Sequence, residues 1–90
     1  MRVTVHYMTQ MKHSAGCSTE EVETPDPSTL REFLCLLGDR HAPGFHELLL
    51  DVVGEPRQSL LFFVGEDHAE LSRPLHNGDS VTILAPMSGG

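Results

Sequence analysis

The sequence predicts an α+β fold, in which a mixed sheet of four or five strands carries a helix on one face. Two observations indicate this fold class. The 90 residues, 39% hydrophobic and 21% charged, suit one small globular domain. Their hydrophobic periodicity is that of strands towards both ends of the chain and of a helix between them. A chain of this length has one modest core, so we expect no deep active-site cleft.

The first 23 residues predict a hairpin with a fairly long loop. Apolar and polar residues alternate over residues 2–8, which predicts the first strand. Its inward-facing residues would be Val3, Val5 and Tyr7. The polar segment 12–16 predicts a turn, and segment 18–23 predicts a weak second strand around Val22.

One amphipathic helix is strongly indicated. Ser28 follows a proline-rich stop and is a good N-cap residue. The apolar residues after it recur at the spacing of one helical face, at Leu30, Phe33, Leu34 and Leu37. Gly38 predicts the end of this helix. The same spacing recurs over residues 45–52 and predicts a second, shorter helix.

The remaining elements complete the sheet. The continuous apolar run 60–64 predicts a central strand, and residues 68–71 predict a short edge strand. Asn77-Gly78 is typical of a tight turn before a last strand over residues 80–84, and Pro86 ends its pairing. Because the first and last strands are the most β-branched, we expect them side by side in the centre.

Composition limits the classes of partner. The chain carries 13 acidic and 6 basic residues, a formal net charge of −7. Nucleic acid and anionic membrane surfaces are therefore disfavoured, whereas a basic protein partner is favoured. The longest apolar run is far shorter than the ~20 residues that span a bilayer, and the first residues lack the apolar core of a secretory leader. Two cysteines are too few for a disulfide scaffold, so we expect a cytoplasmic protein.

Signatures of catalysis are missing from the sequence. It contains no glycine-rich phosphate loop, no nucleophile elbow and no CxxC pair. The six histidines and the loop carboxylates show no spacing that fixes a metal site or an acid/base pair. We therefore expect no bound metal or cofactor.

The sequence ends on Gly89-Gly90. We expect residues 86–90 to form a flexible tail after a domain that spans residues 1–85. Glycines without Cβ atoms can enter a channel that is too narrow for other residues and can present the last carboxyl group. A frayed end or a truncation is the alternative reading of a terminal Gly-Gly.

Residues 74–90 carry a family resemblance. They contain a leucine, a Gly-Asp turn, an apolar strand, Pro86, a small polar residue and Gly-Gly. This pattern resembles the C-terminal signature of the ubiquitin-like sulfur carriers of the MoaD/ThiS type, above all the small subunit of molybdopterin synthase. Over the other residues the resemblance rests on element order and length. The chain departs from the pattern at Ala85-Pro86, where Pro-Pro is common, and at Val64-Gly65, where Val-Asn-Gly is common.

The resemblance implies a β-grasp (ubiquitin-like) fold and a carrier rather than an enzyme. An E1-like adenylyltransferase would use ATP to adenylylate the Gly90 carboxylate, and sulfur would then replace AMP. The resulting thiocarboxylate would donate sulfur at a second partner, the large subunit of molybdopterin synthase or an equivalent acceptor enzyme. The residues that would thread into these partners are Pro86, Met87, Ser88 and Gly89.

A docking surface is predicted beside the tail. Val81 and Ile83 share one face of the last strand, and Thr82 and Leu84 share the other. If the first pair packs on the helix, Leu84 faces solvent and forms an apolar docking patch with Met87. The alternative is that Leu84 is an isolated surface leucine.

Three other functions fit the same sequence. The chain could carry sulfur for thiamine or for another sulfur-containing metabolite. It could be a ubiquitin-like modifier conjugated through Gly90 to lysines of target proteins. It could also be an interaction module whose tail has no chemical role.

Overall fold

The structure is a computed structural model that describes residues 1–41 and 43–85. Five strands and three helices follow one another in these segments. In chain order they are β1 (Arg2–Tyr7), α1 (Gln10–Ala15), β2 (Thr19–Glu23), α2 (Leu30–Arg40), α3 (Pro43–Leu49), β3 (Leu61–Val64), β4 (Asp67–His68) and β5 (Ser80–Leu84).

The strands form one mixed sheet in the order β2-β1-β5-β3-β4. The first and last strands are parallel neighbours in its centre, with Val5 opposite Val81 and Tyr7 opposite Ile83. The other neighbouring strands are antiparallel. The prediction that the chain's two ends meet in the middle of the sheet is confirmed.

The core lies between the sheet and α2. The central strands contribute fully or almost fully buried residues at alternate positions, namely Val3, Val5, Tyr7, Val81 and Ile83. The predicted helix face, Leu30, Phe33, Leu34 and Leu37, is completely buried. Full burial of each large apolar side chain stabilises the fold by about 1.5–3 kcal/mol. One face of the sheet is therefore covered by helix, and the opposite face is open.

The ends of α2 differ from the prediction. The N-cap is Thr29, whose hydroxyl accepts from the Glu32 amide while the Glu32 carboxylate accepts from the Thr29 amide. This capping box outcompetes Ser28, whose hydroxyl donates to the Pro25 carbonyl instead. Gly38 does not end the helix, which continues to Arg40. A Cβ at Gly38 would lie 2.7 Å from Leu50 Cδ1. Its role is close packing.

Three other boundaries also differ. The predicted turn at 12–16 overlaps α1, which buries Met11 and packs against α3. The predicted helix at 45–52 is α3, which ends at Leu49 and leaves Val52 fully exposed. The edge strand β4 has only two residues, where 68–71 was expected. These boundaries depend on contacts with neighbouring elements. Local hydrophobic periodicity does not report such contacts.

A polar cluster ties the hairpin to the helices. One oxygen of Glu20 accepts from the Tyr7 hydroxyl at 2.5 Å and lies 2.6 Å from His41 Nε2. The Phe45 ring packs against both aromatic partners, at centroid distances of 5.5 Å from Tyr7 and 4.4 Å from His41. The cluster therefore joins β1 and β2 to α3 and to the residue that follows α2.

This geometry shifts two pKa values in opposite directions. Burial, followed by the hydrogen bond and the charge of Glu20, raises the pKa of Tyr7. Burial alone would raise the pKa of Glu20, but hydrogen bonds from Tyr7 and His41, with the charges of His41 and Arg40, lower it overall. Glu20 is thus held as a carboxylate that accepts two hydrogen bonds.

We expect Glu20→Gln to lower the free energy of unfolding by about 1–3 kcal/mol at pH 7, since it removes a charged acceptor with two partners. The folded pKa of Glu20 lies below its unfolded value of about 4.3, so the stabilisation is present above that value and is lost as pH falls through the folded pKa. Urea unfolding at pH 7, 5 and 3 measures this difference.

Glu21→Gln is the matched control, because Glu21 is exposed and pairs weakly with Arg2 at 3.8 Å. It should change stability by no more than about 0.5 kcal/mol at each pH. An equal loss for Glu20→Gln at pH 3 and pH 7 would show that the charge of Glu20 is unimportant.

Candidate functional site

The candidate site is the edge of the sheet at which β5 ends. Val81 and Ile83 are fully buried, while Thr82 and Leu84 are partly exposed on the opposite face. The prediction that Leu84 faces away from the core is therefore confirmed. The other predicted site residues, Pro86, Met87, Ser88, Gly89 and Gly90, lie outside the described residues.

Leu84 is not isolated. Leu61 of β3 lies opposite it in the antiparallel register, and Phe63 lies opposite Thr82 on the same open face. Met8 continues β1, and its amide donates to the Ile83 carbonyl at 3.2 Å. Met8 is 45% exposed and Leu61 is 37% exposed. We call Met8, Leu61, Phe63 and Leu84 the open-face patch.

The sequence analysis did not predict three members of this patch, Met8, Leu61 and Phe63. The run 60–64 predicts a central strand, and the burial of the observed strand β3 alternates along it. Phe62 and Val64 are buried, whereas Leu61 and Phe63 are exposed or partly exposed. Side chains alternate between the two faces along a strand. Once β3 is placed beside β5, Leu61 and Phe63 therefore share the face of Leu84.

The charged residues of the open face lie mainly at its far end. Arg2 begins β1 and pairs with Glu23 at 3.0 Å. Because β1 and β5 are parallel, this end is opposite to the edge that carries Met8 and Leu84. Beside the patch, the His68 ring stands edge-on to Phe63 with centroids 5.6 Å apart. An apolar area on an otherwise polar face is typical of a protein-docking surface.

One further residue contacts the chain where it leaves the sheet. The Thr9 hydroxyl lies 2.8 Å from the Met8 carbonyl oxygen and 3.3 Å from that of Ala85. The structure thus brings together the patch, the last described residue and a hydrogen-bond donor at one edge. This contact could not be foreseen from the sequence, because 76 residues separate Thr9 from Ala85.

The described residues form an apolar surface patch, and they hold no cluster of metal ligands and no activated thiol. Within segments 1–41 and 43–85, no group of three or more His, Cys, Asp or Glu side chains could hold a metal ion. Burial, with neighbouring carboxylates, raises the pKa of both Cys17 and Cys35, so neither thiol is activated as a nucleophile. In the same segments, no helix combines the length and apolar character that a membrane span requires.

Comparison with known proteins gives a family match. The family model of the ThiS family matches residues 5–90. No curated protein matched the sequence at a significant level.

Solved structures with the same fold include a small archaeal modifier protein and Urm1. SAMP1 from Haloferax volcanii, small archaeal modifier protein 1, is 21% identical, with a TM-score of 0.90 and 100% coverage of both chains. Urm1 from Trypanosoma brucei is 23% identical, with a TM-score of 0.79 and coverage of 99% of this chain and 95% of its own.

A third similar structure is a protein–protein complex of subunits 1 and 2 of the molybdopterin-converting factor from Helicobacter pylori. The matched chain is 21% identical, with a TM-score of 0.66 and full coverage of both chains. These likenesses establish a β-grasp fold. Together with the family match over residues 5–90, they identify the chain as a member of the ThiS family of ubiquitin-like sulfur carriers.

Proposed function

We propose that the chain is a sulfur carrier whose cargo is bound at the Gly90 carboxyl group. The observation that supports this most is the family match, which continues through Gly89 and Gly90. The open-face patch supports it independently, because an apolar docking surface lies at the edge where β5 ends. Residues 86–90 would then reach from this edge into the active site of a bound partner.

The chemistry begins with activation. A carboxylate is a poor electrophile, so an E1-like adenylyltransferase would direct a Gly90 oxygen to the α-phosphorus of ATP and release pyrophosphate. A hydrosulfide-level nucleophile would attack the acyl carbon and expel AMP, leaving a thiocarboxylate. The thiocarboxylate sulfur is a soft nucleophile that can attack an electrophilic carbon of an acceptor. ATP is bound by the partner, and this chain binds no cofactor.

The described surface supports a division of roles between this chain and its partners. The chain supplies a docking face and a tail that extends into the partner's active site. The catalytic groups reside on its partners. The net charge of −7 favours encounter with basic partner surfaces and disfavours nucleic acid. The proposal places the protein in the cytoplasm, as expected from its cysteine content.

For the pathway, we propose the small subunit of molybdopterin synthase in molybdenum cofactor biosynthesis. The H. pylori complex supports this choice, since one of its two subunits has this fold and binds a partner chain. The large subunit of the synthase would then be the second partner. A carrier for thiamine or another sulfur-containing metabolite uses the same tail chemistry, and co-purifying proteins would distinguish the pathways.

A second candidate function is conjugation to other proteins. The fold shared with SAMP1, a small archaeal modifier protein, favours this candidate. It uses the same acyl-adenylate, but the final nucleophile is a lysine amine. Covalent high-mass species that disappear on deletion of Gly90 would indicate a modifier.

Intact mass spectrometry of protein purified from its native host tests the carrier proposal. A fraction whose mass increment equals replacement of one oxygen by sulfur, located at Gly90, is the expected result. An interaction module with an inert tail instead predicts unmodified protein and normal function after removal of Gly89 and Gly90.

Adding one alanine after Gly90 should abolish adenylylation, because the reacting carboxyl group moves beyond the position for which the partner's narrow channel is built. We expect a loss of at least about 100-fold in rate, the usual scale when a reacting group is misplaced. Carrier-dependent ATP–pyrophosphate exchange by the host adenylyltransferase measures it. An unchanged thermal midpoint controls for folding, and undiminished exchange would contradict the proposal.

Leu84→Glu should weaken binding to the activating enzyme by at least about tenfold, since it places a charge in the apolar docking surface. Its effect on the free energy of unfolding should stay near 0.5 kcal/mol, as for other surface changes. Titration calorimetry and thermal unfolding measure the two quantities.

Val52→Glu is the matched control, because Val52 is fully exposed and lies after α3, outside the strands of the sheet. It introduces the same charge and should leave binding unchanged. Leu61→Glu, opposite Leu84, provides a second variant of the open-face patch. Equal binding by all three variants and the original protein would show that the patch is not the docking surface.

A further inference from the structure

A row of five side chains crosses the open face of the sheet. The strand registers place His6 of β1 opposite Thr82 of β5. Thr82 lies opposite Phe63 of β3, which in turn lies opposite His68 of β4. On the other side of β1, His6 lies opposite Thr19 of β2. Because directly opposite residues share a face of a sheet, two imidazoles flank Thr82 and Phe63. We call these five residues the histidine row.

The histidine row adjoins the open-face patch. The next positions on the same face of the central strands hold the other three residues of the patch, Met8, Leu84 and Leu61. Phe63 belongs to both the row and the patch, and the His68 ring stands edge-on to it. His6 lies two residues before Met8 along β1, a spacing of about 7 Å in a strand. A partner that covers the patch would therefore reach both imidazoles.

His6 and His68 differ from the histidines that have carboxylate neighbours. Those are His41 at 2.6 Å from Glu20, His46 at 3.9 Å from Asp39 and His76 at 3.7 Å from Asp79. Within segments 1–41 and 43–85, neither His6 nor His68 forms an ion pair or a side-chain hydrogen bond. Histidine is the side chain whose charge normally changes between about pH 5 and pH 8.

The surroundings of the two imidazoles add little net charge. Their charged neighbours are Glu21 and Arg2 on the side of β2 and β1, and Asp67, Arg73, Arg57 and Glu70 on the side of β4. Glu21 lies 3.8 Å from Arg2, so these two charges largely balance each other. The same holds for Asp67, which lies 4.0 Å from Arg73. Between the imidazoles, β5 presents only the uncharged Thr82, and the helix α2 packs on the opposite face.

We infer that docking on the open-face patch is proton-linked through His6 and His68. The partner binds this face with both imidazoles neutral, and a proton on either imidazole weakens binding. The inference rests on the proposed function, because it requires a partner that docks on the patch. The effect arises at the described surface and precedes any reaction at Gly90.

Two physical effects act in the same direction. An apolar partner surface that covers an imidazolium removes its hydration, and burial of an unpaired charge costs far more than burial of a neutral polar ring. A basic partner, which the net charge of −7 favours, would also be repelled by positive charges that appear beside the patch. Acidification is therefore expected to release the carrier from its partner.

Titration calorimetry with the host adenylyltransferase between pH 6 and pH 8 tests the linkage. For the original protein, we expect the dissociation constant to rise about tenfold as the pH falls from 8 to 6. The double variant His6→Gln/His68→Gln should reduce this rise to less than about threefold, because glutamine stays uncharged over the whole range. Comparison of the two profiles removes the titration of the partner's own groups.

The same calorimetry counts protons when it is repeated at pH 6.5 in buffers of different ionisation enthalpy. The original protein should release more protons per complex than the glutamine double variant, since binding selects the neutral imidazoles. A purely structural role of the two histidines would leave this proton count unchanged.

Lysine substitutions fix the charge. His6→Lys and His68→Lys each place one permanent positive charge in the histidine row, and each should weaken binding at pH 8 by at least about threefold. His76→Lys is the matched control, because His76 is exposed in the turn before β5, beside the Asn77 side chain that accepts from the Arg2 amide at the far end of the face. It adds the same charge and should leave the dissociation constant at pH 8 within about twofold of the original value.

Three results would overturn the inference: a pH profile of the glutamine double variant that equals the original profile, tighter binding of the original protein at pH 6 than at pH 8, or lysine variants that bind at pH 8 like the original protein. An unchanged thermal midpoint at each pH controls for folding. If a lysine variant does not fold, the glutamine variant still tests the linkage.

Leu84→Glu at pH 8 separates this inference from the proposed function. If the original protein binds the adenylyltransferase and Leu84→Glu binds at least about tenfold more weakly, the docking surface stands whatever the pH profile shows. An original protein that binds at no pH overturns the proposed docking, and the proton linkage with it.

Discussion

The parallel pairing of β1 with β5 is the constraint on which the rest of the structure depends. It joins residues near the two ends of the chain, with Val5 opposite Val81, and its closure buries alternate residues of both strands against α2. Because the two strands run in the same direction, their carboxyl ends meet at one edge of the sheet. Met8 and Leu84 become neighbours at this edge, although neither is near the other in sequence.

The two faces of the sheet have separate tasks. The covered face holds the apolar core, whose burial provides most of the stability of so small a domain. Residues of the open face do not form the core. This face carries the open-face patch at one end and the Arg2–Glu23 ion pair at the other. The cluster around Glu20 serves the covered side, where it ties hairpin to helices. Its strong hydrogen bonds are structural, and they lie apart from the surface that would bind a partner.

Much of this architecture could be predicted from the sequence. Alternation located β1 and β5, the apolar face of α2 was identified residue by residue, and Leu84 was assigned to the open side. These predictions succeeded because period-2 and period-3.6 patterns report which side of an element is buried. The failures lie where a neighbouring element decides. Gly38 lies within the helix and allows Leu50 to pack closely on it, and residues 12–16 overlap a helix that packs on α3.

The sequence by itself determined the class of fold and the acidic character of the chain, since these follow from composition and local order. Its terminal glycines also indicated a carrier. Only the tertiary structure decided that Leu61 and Phe63 join Leu84 in one patch, and that Thr9 contacts Ala85 from the other end of the chain. The physical reason is that strand register and crossover pairing arise from long-range packing. Local periodicity specifies which face a residue occupies, but it does not specify which residue lies beside it.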